Sequence, residues 1–142
     1  MTWVSRYVGL PWAAGGRDRA GVDCWGLVRL VIQEQRGIVL PSFVAAYAPG
    51  DGETIAGLIE QNRSLGMEVP PGEERAFDLV HCRMPCAASG GTRLLPWHVG
   101  VVVESGRMLH VTAALGAAAV ERYRDAPRLH HRILGFYRVA AG

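Results

Sequence analysis

Residues 22–37 read Val-Asp-Cys-Trp-Gly-Leu-Val-Arg-Leu-Val-Ile-Gln-Glu-Gln-Arg-Gly, and this stretch decides the fold. Its apolar residues recur with the period of a helix from Asp23 to about Gln35. Asp23 suits the N-cap position, and Gly37 suits the position at which a helix ends. The stretch therefore predicts a helix that carries a cysteine, Cys24, in its first turn.

Around this helix, the rest of the chain predicts a second helix and a series of strands. The second helix is expected over about Thr54–Leu65, and a loop is expected over Ala87–Pro96. Strands with a period of two are predicted at Phe77–Arg83, His98–Val103, Met108–Thr112, Ala119–Arg124 and Ile133–Val139. A helix followed by a run of strands predicts an α+β fold, with the first helix packed on a mostly antiparallel sheet of about five strands. The length predicts one domain over residues 1–142.

The composition excludes several classes of protein. Hydrophobic residues make up 49% of the chain and charged residues 20%, which is typical of a globular domain. The formal net charge of +2 is too small to indicate nucleic-acid binding, and no apolar run is long enough to predict a membrane span. The first residues lack the layout of a secretory signal. We therefore expect synthesis in the cytoplasm and delivery to any extracellular target by another route.

Cys24 is the candidate nucleophile. It follows a glycine-rich loop and stands at a helix N-terminus, where the helix dipole favours a thiolate. Unpaired backbone N–H groups at such a position can also stabilise an oxyanion. We therefore expect iodoacetamide to alkylate Cys24 below pH 8, faster than Cys82 or Cys86. The alternative is a buried structural cysteine, since free cysteine is among the most buried residue types.

Two histidines are candidates for the base and its orienting partner. A three-residue turn ending in Gly106 is expected to place Gly100 opposite His110, with His98 as the diagonal neighbour of His110 on the same face. A two-residue turn would send the two histidines to opposite faces. A catalytic cysteine needs such a histidine and a polar group that fixes its tautomer. The alternative is that both are ordinary half-buried strand residues.

The remaining polar and aromatic candidates are weaker. His81, Cys82 and Cys86 match structural zinc sites poorly, so neither a metal nor another cofactor is expected. Three tryptophans adjoin the proposed catalytic residues and could line a substrate cleft or pack against the active helix; they are Trp12, Trp25 and Trp97.

Taken together, these segments resemble the NlpC family of cell-wall cysteine peptidases. The resemblance extends over most of the chain, and its segments occur in the family's order; they are Leu10–Gly16, Val22–Val28, Phe77–Val80 and His98–Val111. It implies a papain-like α+β fold with a Cys-His-His triad. In that triad Cys24 is the nucleophile, His98 the general base and His110 the residue that orients His98.

The resemblance also implies a substrate. The family hydrolyses peptidoglycan stem peptides, usually between D-γ-glutamate and a diamino acid. Asp23 would shape the substrate pocket or cap the helix, and the backbone N–H of Cys24 would contribute to the oxyanion hole. Trp12 replaces the family's usual tyrosine, so a hydroxyl near the thiol is absent there. Trp25 replaces a small residue, and Phe77 replaces a glycine.

The form Asp-Cys-Trp-Gly-Leu-Val, followed by Leu-Pro-Ser, resembles a subgroup found with phage tails and gene transfer agents. Membership of it would imply a virion component at a tail tip or baseplate, with other tail proteins as partners, that opens the cell wall locally. One alternative is a structural connector or plug of such a tail tip with a silent active site. Another is amidase or acyltransferase chemistry, because likeness of fold does not separate these reactions.

Overall fold

The computed structural model describes residues 3–48, 51–88 and 91–140, and it confirms the predicted α+β class. The helices are α1 (Cys24–Arg36), α2 (Gly52–Gln61) and α3 (Pro127–His130), with 3-10 turns at Trp3–Arg6 and Arg63–Leu65. The strands are β1 (Arg17–Asp18), β2 (Gly21–Val22), β3 (Gly66–Val69), β4 (Leu79–Ala88), β5 (Gly91–Glu104), β6 (Arg107–His110), β7 (Ala119–Arg122) and β8 (Ile133–Val139). No helix in these described ranges is long and apolar enough to cross a membrane.

The main sheet has six strands in the order β3-β8-β4-β5-β6-β7, all antiparallel, so the predicted count of about five was one too low. The missed strand is β3. The sequence placed Gly66–Val69 beyond a helix running to Leu65, whereas α2 ends at Gln61 and β3 follows a 3-10 turn. Four residues are too few to show a period of two, so only their pairing with β8 defines them as a strand.

Helix α1 begins and ends where the local sequence predicts. Asp23 adopts an extended conformation and its side chain accepts a hydrogen bond from the N–H of Gly26, which caps the helix. Gly37 ends the helix in the left-handed conformation, at φ 68°. The apolar side of α1 packs on the sheet in one cluster, which includes Leu27, Val28, Val31, Val99, Val101, Leu109 and Val111. This packing holds the first turn of α1 against β5.

The β5–β6 hairpin has the predicted register but a different turn. Val101 pairs with Leu109, so the body of the hairpin aligns as expected. The turn itself has two residues rather than three, because Glu104 pairs with Arg107. A bulge at Val103 supplies the extra residue and restores the parity that the shorter turn would have broken.

The loop predicted over Ala87–Pro96 is wrong where the structure describes it. Strands β4 and β5 continue as a long hairpin to the pair Ala88 and Gly91, while Ser89 and Gly90 lie outside the described residues. The prediction rested on the run Ser89-Gly90-Gly91, which is typical of a loop, and the two prolines nearby do not prevent strand pairing. Pro96 lies where the register of the β4–β5 pairing shifts, and Pro85 lies beyond the part of β4 that pairs with β8. Neither position requires the N–H that proline lacks.

Candidate active site

The thiol of Cys24 lies against the strand that carries His98. The Cys24 Sγ is 4.0 Å from the carbonyl oxygen of Trp97. A hydrogen bond from the backbone N–H of Val99 also lowers the pKa of the thiol. Only 7% of the residue's surface is exposed. The fold thus places the Cys24 thiol against the backbone of the two residues that flank His98.

The two histidines meet as predicted. His98 Nε2 lies 2.8 Å from His110 Nδ1, and both side chains are buried. A Cβ atom at Gly100 would lie 3.1 Å from the Cβ of His110 and 3.0 Å from the carbonyl oxygen of Leu109. The glycine therefore provides the space in which the two imidazoles approach each other.

The other ring nitrogen of His98, Nδ1, is buried and has no hydrogen-bond partner among the described residues. Cys24 Sγ and His98 Nδ1 are therefore not joined by a hydrogen bond in this structure. Catalytic hydrogen bonds are often long or misaligned without substrate and tighten in the complex. The unpartnered nitrogen is the atom of this histidine pair that remains available to accept a proton.

Burial governs the electrostatics of this centre. It raises the pKa of the Cys24 thiol to about 12, assisted by the Asp23 carboxylate and opposed by the backbone N–H groups of Val99 and Trp25. Burial likewise holds the pKa of His98 well below its ordinary value, and the neighbouring His110 lowers it further. Burial therefore opposes the thiolate that the helix N-terminus was expected to favour. Both shifts favour the neutral forms of the thiol and the imidazole, so a reaction at this centre would begin with proton transfer between them.

Asp23 caps α1 and also anchors two residues that the sequence did not single out. Its Oδ1 is 2.6 Å from Arg17 Nη1, and its Oδ2 accepts a hydrogen bond of 2.5 Å from the hydroxyl of Tyr47. Arg17 in turn donates to the carbonyl oxygen of Ser42 and to the Tyr47 hydroxyl. These contacts tie the segment after α1 to the mouth of the site. Tyr47 also lines the cavity onto which Cys24 opens, and its hydroxyl is held by Asp23 and Arg17.

A cavity of about 300 Å³ opens beside Cys24. All four predicted substrate-binding residues line it together with the thiol; they are Trp12, Asp23, Trp25 and Trp97. Tyr47 and Cys86 complete parts of its wall. Two of the tryptophans are held by hydrogen bonds from their indole N–H groups, Trp25 to the carbonyl oxygen of Pro41 and Trp97 to that of Met84. The aromatic walls are therefore fixed in place before any ligand arrives.

A second, almost wholly apolar cavity of about 80 Å³ adjoins the first beneath α2. Ile55, Leu58 and Ile59 of α2 line it, opposite Leu79 and Val99. Ile55 lines both cavities, so α2 forms a shared wall between them.

The residues that raised the question of zinc are separated by the fold. His81 faces the apolar cavity and its Nε2 lies 2.8 Å from the carbonyl oxygen of Pro96. Cys82 belongs to a buried apolar cluster, and Cys86 lies at the larger cavity. Among the described residues no group of three His, Cys, Asp or Glu side chains is arranged to hold a metal ion.

Glu121 is a further functional candidate that the sequence did not single out. Its Oε1 lies 2.7 Å from His110 Nε2, at the far end of the histidine pair from Cys24. Glu121 lies in the predicted strand Ala119–Arg124, and the alternation of that strand predicts which residues share a face with Glu121. What the sequence lacked was the register between β6 and β7, which are joined by eight residues without a regular pattern.

Comparison with known proteins agrees with this architecture. A model of the NlpC/P60 family matches residues 9–131. Protein P54 of Enterococcus faecium is 27% identical over 105 residues, which are 74% of this chain and 16% of that protein. The chain thus spans about one sixth of the length of this relative.

Solved structures of low sequence identity share the fold. The NlpC/p60 domain of the peptidoglycan hydrolase SagA has a TM-score of 0.61 at 20% identity, over 96% of this chain and 92% of that domain. A Staphylococcus aureus protein described as similar to a lipoprotein of the NLP/P60 family has a TM-score of 0.66 at 20% identity, over 96% and 39% of the two chains. The peptidoglycan hydrolase RipB of Mycobacterium tuberculosis has a TM-score of 0.56 at 22% identity, over 96% and 61%. These likenesses confirm the predicted NlpC fold.

Proposed function

The chain belongs to the NlpC/P60 family, and on that basis we propose that it is a cysteine endopeptidase that hydrolyses peptidoglycan stem peptides. The observation that carries the proposal is the arrangement around Cys24. A cysteine at a helix N-terminus opens onto a cavity of about 300 Å³ and lies against the strand of His98, whose Nδ1 has no hydrogen-bond partner in the part of the chain that the structure describes. This is the set of groups that acyl transfer requires.

The reaction begins with a neutral pair. His98 Nδ1 takes the proton from the Cys24 thiol as Sγ attacks the carbonyl carbon of the scissile bond. The backbone N–H of Cys24, in the first turn of α1, would donate to the oxygen that becomes negative. His98 then gives its proton to the leaving amine and a thioester remains on Cys24. A water molecule, deprotonated by His98, releases the acid and restores the thiol.

The cavity supports a peptide substrate held between aromatic walls. Trp12, Trp25 and Trp97 offer flat apolar faces, and Asp23 with its partner Tyr47 places polar groups at one side. We propose that the bond cut is the one between D-γ-glutamate and the diamino acid, following the family resemblance. His110 would keep the ring of His98 oriented through the 2.8 Å contact between them.

We further propose that the protein acts in a phage-like tail tip or baseplate and opens the wall locally during delivery. The support is the sequence form around Cys24 and the Leu-Pro-Ser segment that follows. Mass spectrometry of purified particles from a producing strain tests it. Detection of the chain in particles at a constant ratio to tail proteins is expected, and its absence from intact particles would contradict the placement.

Incubation of purified muropeptides with the protein, read by mass spectrometry, tests the activity. Wild type is expected to release fragments split after D-γ-glutamate, and Cys24→Ala and His98→Ala to release none. Cys82→Ala is the matched control, because it removes a buried thiol outside the larger cavity. Fragments produced equally by Cys24→Ala would refute the nucleophile. No cleavage by a folded, reduced wild type would favour the alternative of a tail-tip connector with a silent site.

A further inference from the structure

We propose that Glu121 is a positioning residue that determines which ring nitrogens of His98 and His110 carry protons. It keeps Nδ1 of His98 unprotonated, so that this nitrogen can accept the proton of Cys24. The proposal rests on the proposed function, because it assigns a role within the same site. It extends the Cys-His-His arrangement by one carboxylate, which acts on His98 only through His110.

The sheet register sets this contact. Ala119 of β7 is the direct partner of His110 of β6, so Glu121, two residues further along, lies diagonally across from His110 on the same face. The separation of 2.7 Å between Glu121 Oε1 and His110 Nε2 is that of a strong hydrogen bond. The side chain of Glu121 is 27% exposed, and Arg128 Nη2 lies 3.6 Å from its other oxygen. The carboxylate therefore remains partly hydrated while one oxygen reaches into the buried histidine pair.

The proton arrangement follows from what each group can donate. An ionised carboxylate only accepts, so His110 must carry its proton on Nε2. A neutral His110 then has a lone pair on Nδ1, and that lone pair can only accept from His98 Nε2 across the 2.8 Å contact. A neutral His98 with its proton on Nε2 has a bare Nδ1. Nδ1 is the buried nitrogen that has no partner among the described residues.

Without the carboxylate, the opposite arrangement becomes available. His110 could carry its proton on Nδ1 and donate it to His98 Nε2, and a neutral His98 would then carry its own proton on Nδ1. In that state His98 cannot accept the proton of Cys24. The carboxylate also faces the positive charge that forms on His98 when it takes that proton, with His110 between them, as an acidic group does for a catalytic histidine in other hydrolases.

Two measurements test this role, one of which needs no activity. Nitrogen NMR of ¹⁵N-histidine-labelled protein at pH 8 distinguishes a bare ring nitrogen from a protonated one. Wild type is expected to show bare Nδ1 atoms in His98 and His110, and Glu121→Ala to show a mixture of both tautomers. Glu121→Gln, whose amide oxygen can still accept from His110, is expected to keep the wild-type pattern.

Muropeptide cleavage supplies the second readout. We expect kcat to fall roughly 10- to 100-fold in Glu121→Ala with little change in KM, and Glu121→Gln to recover part of it. Glu104→Ala is the matched control, because Glu104 is an exposed partner of Arg107 at the β5–β6 turn. A folded Glu121→Ala that keeps the wild-type nitrogen spectrum would overturn the inference. The expected spectra together with a wild type that cleaves nothing would sustain the positioning role and defeat the peptidase proposal.

Discussion

Substitution of Gly26 by alanine tests how the first turn of α1 is held in place. A Cβ atom there would lie 1.9 Å from the carbonyl oxygen of Gly16 and 3.2 Å from Arg17 Nη1. Restoring a separation of 3.0 Å requires the backbone of the preceding loop to move by about 1.1 Å. Such overpacking costs about 3 kcal/mol, and the better helix propensity of alanine returns about 1 kcal/mol. We therefore expect Gly26→Ala to destabilise the protein by about 2 kcal/mol, which for this length lowers Tm by about 7 °C.

The control is the same substitution in the other long helix. Gly57 lies within α2, and a Cβ atom there would meet no described residue within 4 Å. Gly57→Ala should therefore raise stability by about 0.5–1 kcal/mol through helix propensity and chain entropy alone. Thermal and urea unfolding followed by circular dichroism measure both variants. If Gly26→Ala were as stable as wild type, the close approach of Gly16 to α1 would be refuted.

Three further outcomes are expected. Gly100→Ala would crowd the Cβ of His110 at 3.1 Å, so kcat for muropeptide cleavage should fall roughly 10- to 100-fold in a folded protein; an unchanged kcat would contradict the geometry of the histidine pair. Burial lowers the pKa of three histidines, His81, His98 and His110. Above about pH 6.5 these histidines are neutral in both the folded and the unfolded protein, so they do not lower the free energy of unfolding. As the pH falls below that value, the unfolded protein takes up protons that the folded protein does not. The free energy of unfolding then falls by up to about 1.4 kcal/mol per pH unit for each histidine that stays neutral. Urea midpoints that stay level from pH 8 to pH 5 would argue against this. Iodoacetamide at pH 7.5 should modify the half-buried Cys86 before Cys24, because Cys24 is buried and its thiol has a raised pKa. Peptide mass mapping identifies which cysteine reacts first. If Cys24 reacted first, its thiol would not be neutral as inferred.

Parts of the candidate site could be predicted because they depend on near neighbours in the chain. The helix Cys24–Arg36 carries its own periodicity and both of its caps, Asp23 and Gly37. The contact of His98 with His110 depends on a single hairpin, in which only a short turn separates the two strands. Even there the turn prediction was wrong, and the register survived because the bulge at Val103 compensates for the shorter turn.

By itself, then, the sequence determined the helix that carries Cys24, the alternation that puts two histidines on one face, and the class of fold. The tertiary structure alone decided which partners these groups acquire. Glu121 reaches His110 across a loop with no periodic pattern, and Tyr47 reaches Asp23 from 24 residues away. Burial opposes the thiolate that the helix N-terminus favours at Cys24, and that burial depends on the whole fold. The physical reason is range: dihedral preferences and caps act over a few residues, whereas desolvation and hydrogen-bond partners depend on every segment that packs around an atom.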